Sequence, residues 1–520
     1  MSDIVKSLLV ERPLSELICD SPMAVQRLVK APAKAIRNPE TVMRVLTLVP
    51  PLLLLPMLGA CVMGPDFRQP PPPASMSKAF VRADQSAAAA TPRLSPWWRD
   101  LNDPLLDQLI TSALSASPTV EAVEARVRQA RSQVRGAQAG LAPVLGTGAG
   151  AGDVRAPGLV TGGEARSSSV FVTGFDALWE IDLFGGRQRG IEAAQAQLGA
   201  AQADAEDARL SLTTEIARRY LMLRAGQQRL DLAKRMLFNQ ERITELTGQL
   251  EQAGKVSRIE REQADRGLEM RRQAIVALEA DLADQKDAIA VLAGEAPGTL
   301  DAMLDPPAAL PLPPAEVAVG DPTTMLARRP DIRAAQQRLR AANAGIGIAE
   351  AARMPRISLA GVIGLGGAMK DDVVNADNLF SLAGPTLQWN LADFGRGRAS
   401  VDGAVARRDE AEAGYRAVVL AALQDAEGSL NRYGAARRTL ASATRSALLA
   451  GGSSDLADQS WRAGRTAFFV ALAAENDRLA AEVIEIQARA DLTTCYVALQ
   501  KALAAGWQDL SDQDAVAIGR

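Results

Sequence analysis

One residue of this chain sits in a pattern that invites covalent chemistry. Cys61 closes the run Leu58-Gly59-Ala60-Cys61, in which small residues let a peptidase reach the backbone and the thiol can take a lipid. Upstream, Val45–Met57 (VLTLVPPLLLLPM) is the most apolar run in the sequence, 13 residues with three prolines. A membrane-spanning helix needs roughly 20 residues, so this run fits a signal-peptide h-region, with Arg44 as its preceding charge. Residues 1–60 are expected to be a signal region, with Met43 a candidate true start, and Cys61 to be lipidated with acyl chains such as palmitate.

Other residues of reactive type carry less. The chain has no histidine, which removes Ser-His-Asp and Cys-His catalysis and imidazole metal ligands. Ser75-Met76-Ser77-Lys78 has the SxxK spacing but lies in a proline- and alanine-rich linker. Gly146-Thr147-Gly148-Ala149-Gly150 lacks the GxGxxG spacing and falls in a strand pattern. Arg328-Arg329-Pro330-Asp331 reads as a helix start, with proline at the first position and an acid near the positive end. No catalytic residue, metal or cofactor is expected. A net charge of −3 gives no reason to expect nucleic acid. If the N-terminus is removed before Cys61 and Cys61 is acylated, Cys495 alone stays free and no disulfide framework can form.

The elements around these residues follow from composition and repetition. Apolar residues make up 48% of the chain and aromatics only 4%, with alanine prominent, which favours long, closely packed helices. The sequence repeats at an offset of about 210 residues. Phe175–Gly186 (FDALWEIDLFGG) resembles Pro385–Arg396 (PTLQWNLADFGR), Ala125–Pro143 resembles Gln337–Pro355, and Ala253-Gly254 matches Ala463-Gly464. Each copy reads as a shorter helix (about Pro118–Gly140, then about Pro330–Arg353), two strands, a very long helix, a glycine turn and another helix. In the first long helix Ile191, Ala194, Leu198, Ala201, Ala205, Ala208 and Leu212 keep a 3-4 spacing, the pattern of a coiled-coil seam. Gly451-Gly452 is expected to kink the second long helix.

Four strands are expected, at Val144–Gly152, Phe171–Leu183, Ile357–Gly366 and Leu379–Leu391. Phe171, Phe175 and Trp179 share one face of the second, and Trp179 and Trp389 fall near corresponding strand ends, where a membrane aromatic girdle belongs. Four strands cannot close a barrel in lipid, because known single-chain barrels start at about eight and an open edge leaves backbone groups unbonded. Several chains must therefore contribute, and strand counting leaves two or three open.

Together these features resemble the TolC-like outer-membrane efflux channels, in the OprM- and NodT-like lipoprotein branch that serves resistance-nodulation-division pumps. The resemblance is carried by Cys61-Val62-Met63-Gly64-Pro65-Asp66-Phe67, Trp97-Trp98, Asn102-Asp103-Pro104-Leu105-Leu106, Leu326–Ile332, Asp393-Phe394-Gly395 and the two Ala-Gly turns, and it runs from about Cys61 to Trp507. It implies a mainly α fold with a small β part: a homotrimer whose chains each give four strands to one transmembrane β-barrel, above a long α-helical coiled-coil barrel. It implies a cell outer membrane location reaching into the periplasm, a periplasmic adaptor (membrane fusion) protein, an inner-membrane transporter of the same pump class, and drug or solute efflux with no chemistry by this chain. Val62 after the cysteine, rather than Asp, is compatible with outer-membrane sorting. A type I secretion outlet, and a non-transporting helical lipoprotein scaffold, remain the alternatives.

In the family, the hairpin tips dock the adaptor and narrow the closed pore. That assigns docking to Ala253, Gly254, Lys255, Val256, Ser257, Ala463, Gly464, Arg465 and Thr466. Family members often carry acids six and nine residues after the second glycine, but Val470 and Ala473 stand there. The expected gate is therefore mainly hydrophobic, with Phe469 foremost, Phe468 and Trp461 beside it, and Glu260 or Glu262 as a source of charge. The expected organisation is 1–60 signal region, 61–100 anchor and proline-rich linker, 101–297 first repeat, 298–320 linker, 321–507 second repeat and 508–520 tail. Mass spectrometry of the mature protein should find an acylated Cys61 at its start; residues 1–42 still attached would overturn that processing.

Overall fold

The computed structural model describes residues 62–71, 73, 76–83, 87–88, 96–156 and 166–504. The signal region, Cys61, Ser75, Trp507 and the tail 508–520 lie outside the described residues. The chain order is α1 (Pro104–Ala116), α2 (Pro118–Ala139), β1 (Val144–Ala156), β2 (Arg166–Ile181), α3 (Gly186–Gln252) and α4 (Arg258–Leu292). Then come α5 (Pro322–Arg328), α6 (Pro330–Ala351), β3 (Arg356–Gly367), β4 (Leu379–Gln388), α7 (Arg396–Arg462) and α8 (Phe468–Ala502). The halves match in length: α2 and α6 have 22 residues each, α3 and α7 have 67, α4 and α8 have 35. At 1.5 Å per residue the longest helices run about 100 Å. Among the described residues no helix is long and apolar enough to cross a membrane.

Proline and aspartate set the helix starts in both halves. Asp103 accepts the N–H groups of Leu105 and Leu106 at 3.0 and 3.1 Å, with Pro104 in the first turn of α1. Asp321 accepts the Thr324 N–H at 3.0 Å, with Pro322 in the first turn of α5. Arg329, ahead of Pro330, bonds Asp331 at 2.8 Å, Asp425 at 3.1 Å and the Ala502 carbonyl at 2.9 Å. The Arg-Arg-Pro-Asp stretch thus works as a helix start that also ties three elements together.

The chain divides into two units, the first taking residues up to 67, 134–194 and 341–408, the second the remainder. The first unit holds one antiparallel sheet in the order β1-β2-β3-β4. Each half supplies a hairpin, and β2 joins β3 from Phe171 opposite Gly367 to Ile181 opposite Ile357. The first hairpin is longer than expected, because its ladder continues to Ala156 opposite Arg166. Strand β4 is shorter than expected and ends at Gln388. There Trp389 leaves the ladder and its indole N–H donates to the Arg353 carbonyl at 3.2 Å. Ile346 and Ala349 of α6 pack on Ala404 of α7, with Val401 and Val405 beside them.

In the second unit α3 meets α8 through Leu232, Met236 and Leu479, with Val483 and Ile486 packed against them. Polar contacts flank this seam, Arg229 to Gln487 at 3.3 Å and Asn239 to Asn476 at 3.4 Å. The bonds from Arg478 hold the Glu475 carboxyl below its ordinary range. The single heptad seam expected along α3 undercounts its contacts. Ile191, Ala205 and Leu212 are buried, but so are Ala196, Ala200, Ala203 and Leu210, which lie off that seam. The helix is covered on more than one flank, and small alanines make that close approach possible. The kink expected at Gly451-Gly452 leaves no break in α7, which stays helical through both residues.

Several of the chain's few aromatics gather at one place. Trp97 stacks edge-on with Trp98 and Tyr496, and Tyr496 meets Tyr433 at 6.4 Å. Nearby, Tyr220 donates to Asp103 at 2.7 Å, and burial pushes its phenol up to about 12, so it remains a donor. Arg224, only 1% exposed, lies over the Tyr220 ring and donates to the carbonyls of Leu304 at 3.2 Å and Pro306 at 2.7 Å. It fastens the segment between the two halves to α3. Arg224→Ala should lower stability by about 3 kcal/mol, since it opens a cavity and removes the bonds to the buried Leu304 carbonyl and the Pro306 carbonyl. A thermal midpoint unchanged from wild type would refute this role.

Candidate functional site

The register assigns every strand residue to a face. Phe171, Phe175 and Trp179 share one face, where Phe175 stands opposite Ile363 and Trp179 opposite Leu359. Across β3, Ile357 and Leu359 stand opposite Leu387 and Pro385 on that same face. The other face carries Gly146, Gly148, Gly150 and Gly152 of β1, with Asp176 and Glu180 of β2. The first face is apolar and aromatic along β2 and β3, whereas the second is mixed, with Val172, Leu178, Val362 and Phe380 among its glycines and acids. Trp179 donates its indole N–H to the Leu141 carbonyl at 2.8 Å, and Trp389 donates to that of Arg353. Leu141 follows α2 and Arg353 follows α6, so the two halves hold their tryptophans by the same bond.

The hairpin tips are also built alike. Gly254 and Gly464 both have φ +66°, a left-handed conformation that favours glycine. In the first tip the Lys255 N–H reaches the Leu250 carbonyl and the Gly254 N–H that of Glu251, both at 2.8 Å. In the second, Arg465 reaches Ser460 at 2.9 Å and Gly464 reaches Trp461 at 2.8 Å. Both are Schellman closures of a helix C-terminus. Ala253, Gly254, Lys255 and Ser257 are exposed, Val256 is half-buried, and Ala463, Gly464, Arg465 and Thr466 are exposed.

The turns differ where the next helix begins. Ser257 caps α4, and Glu260 closes a capping box by accepting the Ser257 N–H at 2.6 Å. These bonds hold the Glu260 carboxyl below its ordinary range. Its charge is therefore fixed at the tip. At α8 the corresponding residues are Ala467 and Val470, and no side chain caps the helix. Bonds that fix the first tip are missing from the second.

The two phenylalanines after the second tip separate in role. Phe468 packs on Trp461 with ring centroids 4.5 Å apart, and the Arg242 guanidinium lies over it at 5.7 Å. Phe469 is 58% exposed and makes neither contact. The offset of 210 pairs Phe469 with Ile259, which is 67% exposed at the same place after the first tip. In the sequence Ile259 is marked only by the repeat, whose offset sets it opposite Phe469. Cys61 lies outside the described residues, but the residues that follow it are held in the first unit, chiefly by Arg189 and Asn343. Neither side chain stood out in the sequence.

Comparison with known proteins agrees with this architecture. The family described as Outer membrane efflux protein matches residues 109–295 and 322–505, one segment in each half. The pyoverdine export outer membrane protein OpmQ of Pseudomonas aeruginosa is 30% identical over 468 residues, 89% of this chain and 97% of OpmQ. Outer membrane protein OprJ of the same organism is 30% identical over 478 residues, 88% of this chain and 95% of OprJ. Among solved structures, the outer-membrane channel OprN superposes with a TM-score of 0.78 at 32% identity, covering 86% of this chain and all of that one. The chain belongs to the outer membrane efflux protein family.

Proposed function

We propose that the chain is the conduit of a tripartite drug or solute efflux system, a passive path across the outer membrane and the periplasm. The observation that carries this reading is the pairing of a four-stranded sheet, open at β1 and β4, with helices about 100 Å long. An open sheet edge cannot stay unbonded in lipid. Three copies, with β4 of each beside β1 of the next, would close one barrel, and the long helices would supply the path across the periplasm. Phe171, Phe175, Trp179 and Trp389 would then meet lipid as an aromatic girdle. Cys61 would add an acyl anchor.

The chain catalyses nothing in this reading. An inner-membrane transporter of the resistance-nodulation-division type supplies the driving force, through a periplasmic adaptor that docks on the exposed tips at Ala253–Ser257 and Ala463–Thr466. The closed constriction is apolar and formed by Phe469, with Ile259 as its counterpart in the first half. Phe468 and Trp461 brace it from behind.

Recordings from purified protein in planar bilayers test this directly. Stable single-channel conductance is expected; its complete absence from a correctly assembled sample would favour a scaffold. Phe469→Ala should raise the closed-state leak, and an unchanged leak removes Phe469 from the gate. Phe468→Ala should instead lower stability by about 1–2 kcal/mol, because Phe468 is a half-buried aromatic packed on Trp461.

A further inference from the structure

The segment that follows Cys61 is bonded along its length. The Met63 N–H donates to the Phe184 carbonyl at 3.0 Å. Arg189 donates from Nε to the Met63 carbonyl at 3.1 Å, and from Nη2 to the Gly64 carbonyl at 3.1 Å and to Asp66 at 2.9 Å. Asn343 donates to the Pro65 carbonyl at 2.8 Å. Gly64 and Gly347 touch backbone to backbone. A Cβ on Gly347 would stand 2.5 Å from the Met63 oxygen, and one on Gly64 2.5 Å from the Gly347 Cα. The Arg189 side chain is 7% exposed but that of Asp66 is 91% exposed. Water screens that ion pair, so the carbonyl bonds matter more than the charge.

The internal repeat supplies a control. At the offset of 210, Arg189 corresponds to Ala399; at 212, Asn343 and Gly347 correspond to Arg131 and Arg135. Ala399 has no donor to replace the guanidinium, and Arg135 has a side chain where Gly347 leaves no room for one, so these close contacts cannot be repeated. Phe184, whose carbonyl takes the Met63 N–H, is half-buried, and its counterpart Phe394 is 97% exposed. Features needed for general packing recur in both halves, as the helix starts and tryptophan bonds do. Among the described residues this cluster occurs once.

We propose that Arg189, Asn343 and Gly347 form a seat for residues Val62–Asp66, and that this seat sets the level at which the lipid-bearing end leaves the protein. Phe184 lies three residues beyond the end of β2. Cys61 is two residues from Met63, a reach of about 7 Å. Its acyl chains would therefore enter the membrane beside the junction of β2 and α3. The level, but not the seat, rests on the acylation of Cys61 proposed above. Val62–Asp66 is thus a strap, and it also ties the start of α3, from the first half, to α6, from the second.

Hydrogen exchange of the full chain in lipid nanodiscs, read by mass spectrometry, tests the seat. Exchange of the Met63 amide, which donates to Phe184, should be at least about tenfold slower than in a free peptide of that sequence. Arg189→Ala and Gly347→Leu should each return it to the free-peptide rate while Phe171–Ile181 stays protected. Asn343→Ala, a smaller change, should give a partial loss and serves if either of those fails to fold. Free-peptide exchange in the wild type, or full protection in all folded variants, overturns the seat. Cys61→Ala should leave protection in place. Intact mass separates the two claims: a protected strap on a chain without acyl groups upholds the seat and overturns the lipid level.

Discussion

The pairing of β2 with β3 is the interaction on which the rest depends. Each half of the chain makes its own hairpin, and only this ladder turns two hairpins into one sheet. Its register puts Phe171, Phe175 and Trp179 on the face that carries Ile363 and Leu359, so one slip of a residue would mix the two faces. It also fixes where the long helices begin, because α3 follows β2 within a few residues and α7 follows β4. In a sheet destined for lipid, the ladder has a second duty. Backbone groups that it leaves unbonded have no water to turn to.

Much of this was legible because the signals are local. Proline after aspartate marks a helix start wherever the chain is placed, and a long stretch free of proline permits a long helix. Strand alternation and glycine turns are similarly short-range, and repetition at a fixed offset doubled each signal. What stayed hidden depends on distant partners. The heptad pattern in α3 identified one flank, but Ala196, Ala200 and Ala203 are buried because of neighbours that periodicity does not name. Phe468 and Phe469 are adjacent and chemically identical, and only the positions of Trp461 and Arg242 divide them. Arg189 looked like any exposed helix arginine until its bonds to residues more than 120 positions earlier were seen.

The departures from internal symmetry are as informative as the symmetry. The halves agree in helix length, tip geometry and tryptophan bonding, where the demand is architectural. They differ at the N-cap after the tip, where Ser257 and Glu260 face Ala467 and Val470, and at the strap, where Arg189 faces Ala399. One difference leaves the second tip with fewer fixed bonds, and the other gives the chain's beginning a place of its own. Duplication alone would have produced neither.

The equal lengths of α3 and α7 carry a consequence for how such a chain can change over time. A residue deleted from one helix would pull its tip back by 1.5 Å and turn every later side chain by roughly 100°. The other helix would no longer match it. Side chains can be exchanged one at a time, because alanine-rich contacts tolerate small adjustments, but the residue count cannot drift in one half alone. A relative can therefore differ at most positions and still be matched from end to end, as OpmQ is, at 30% identity over 97% of its length. In this architecture length is inherited more strictly than sequence.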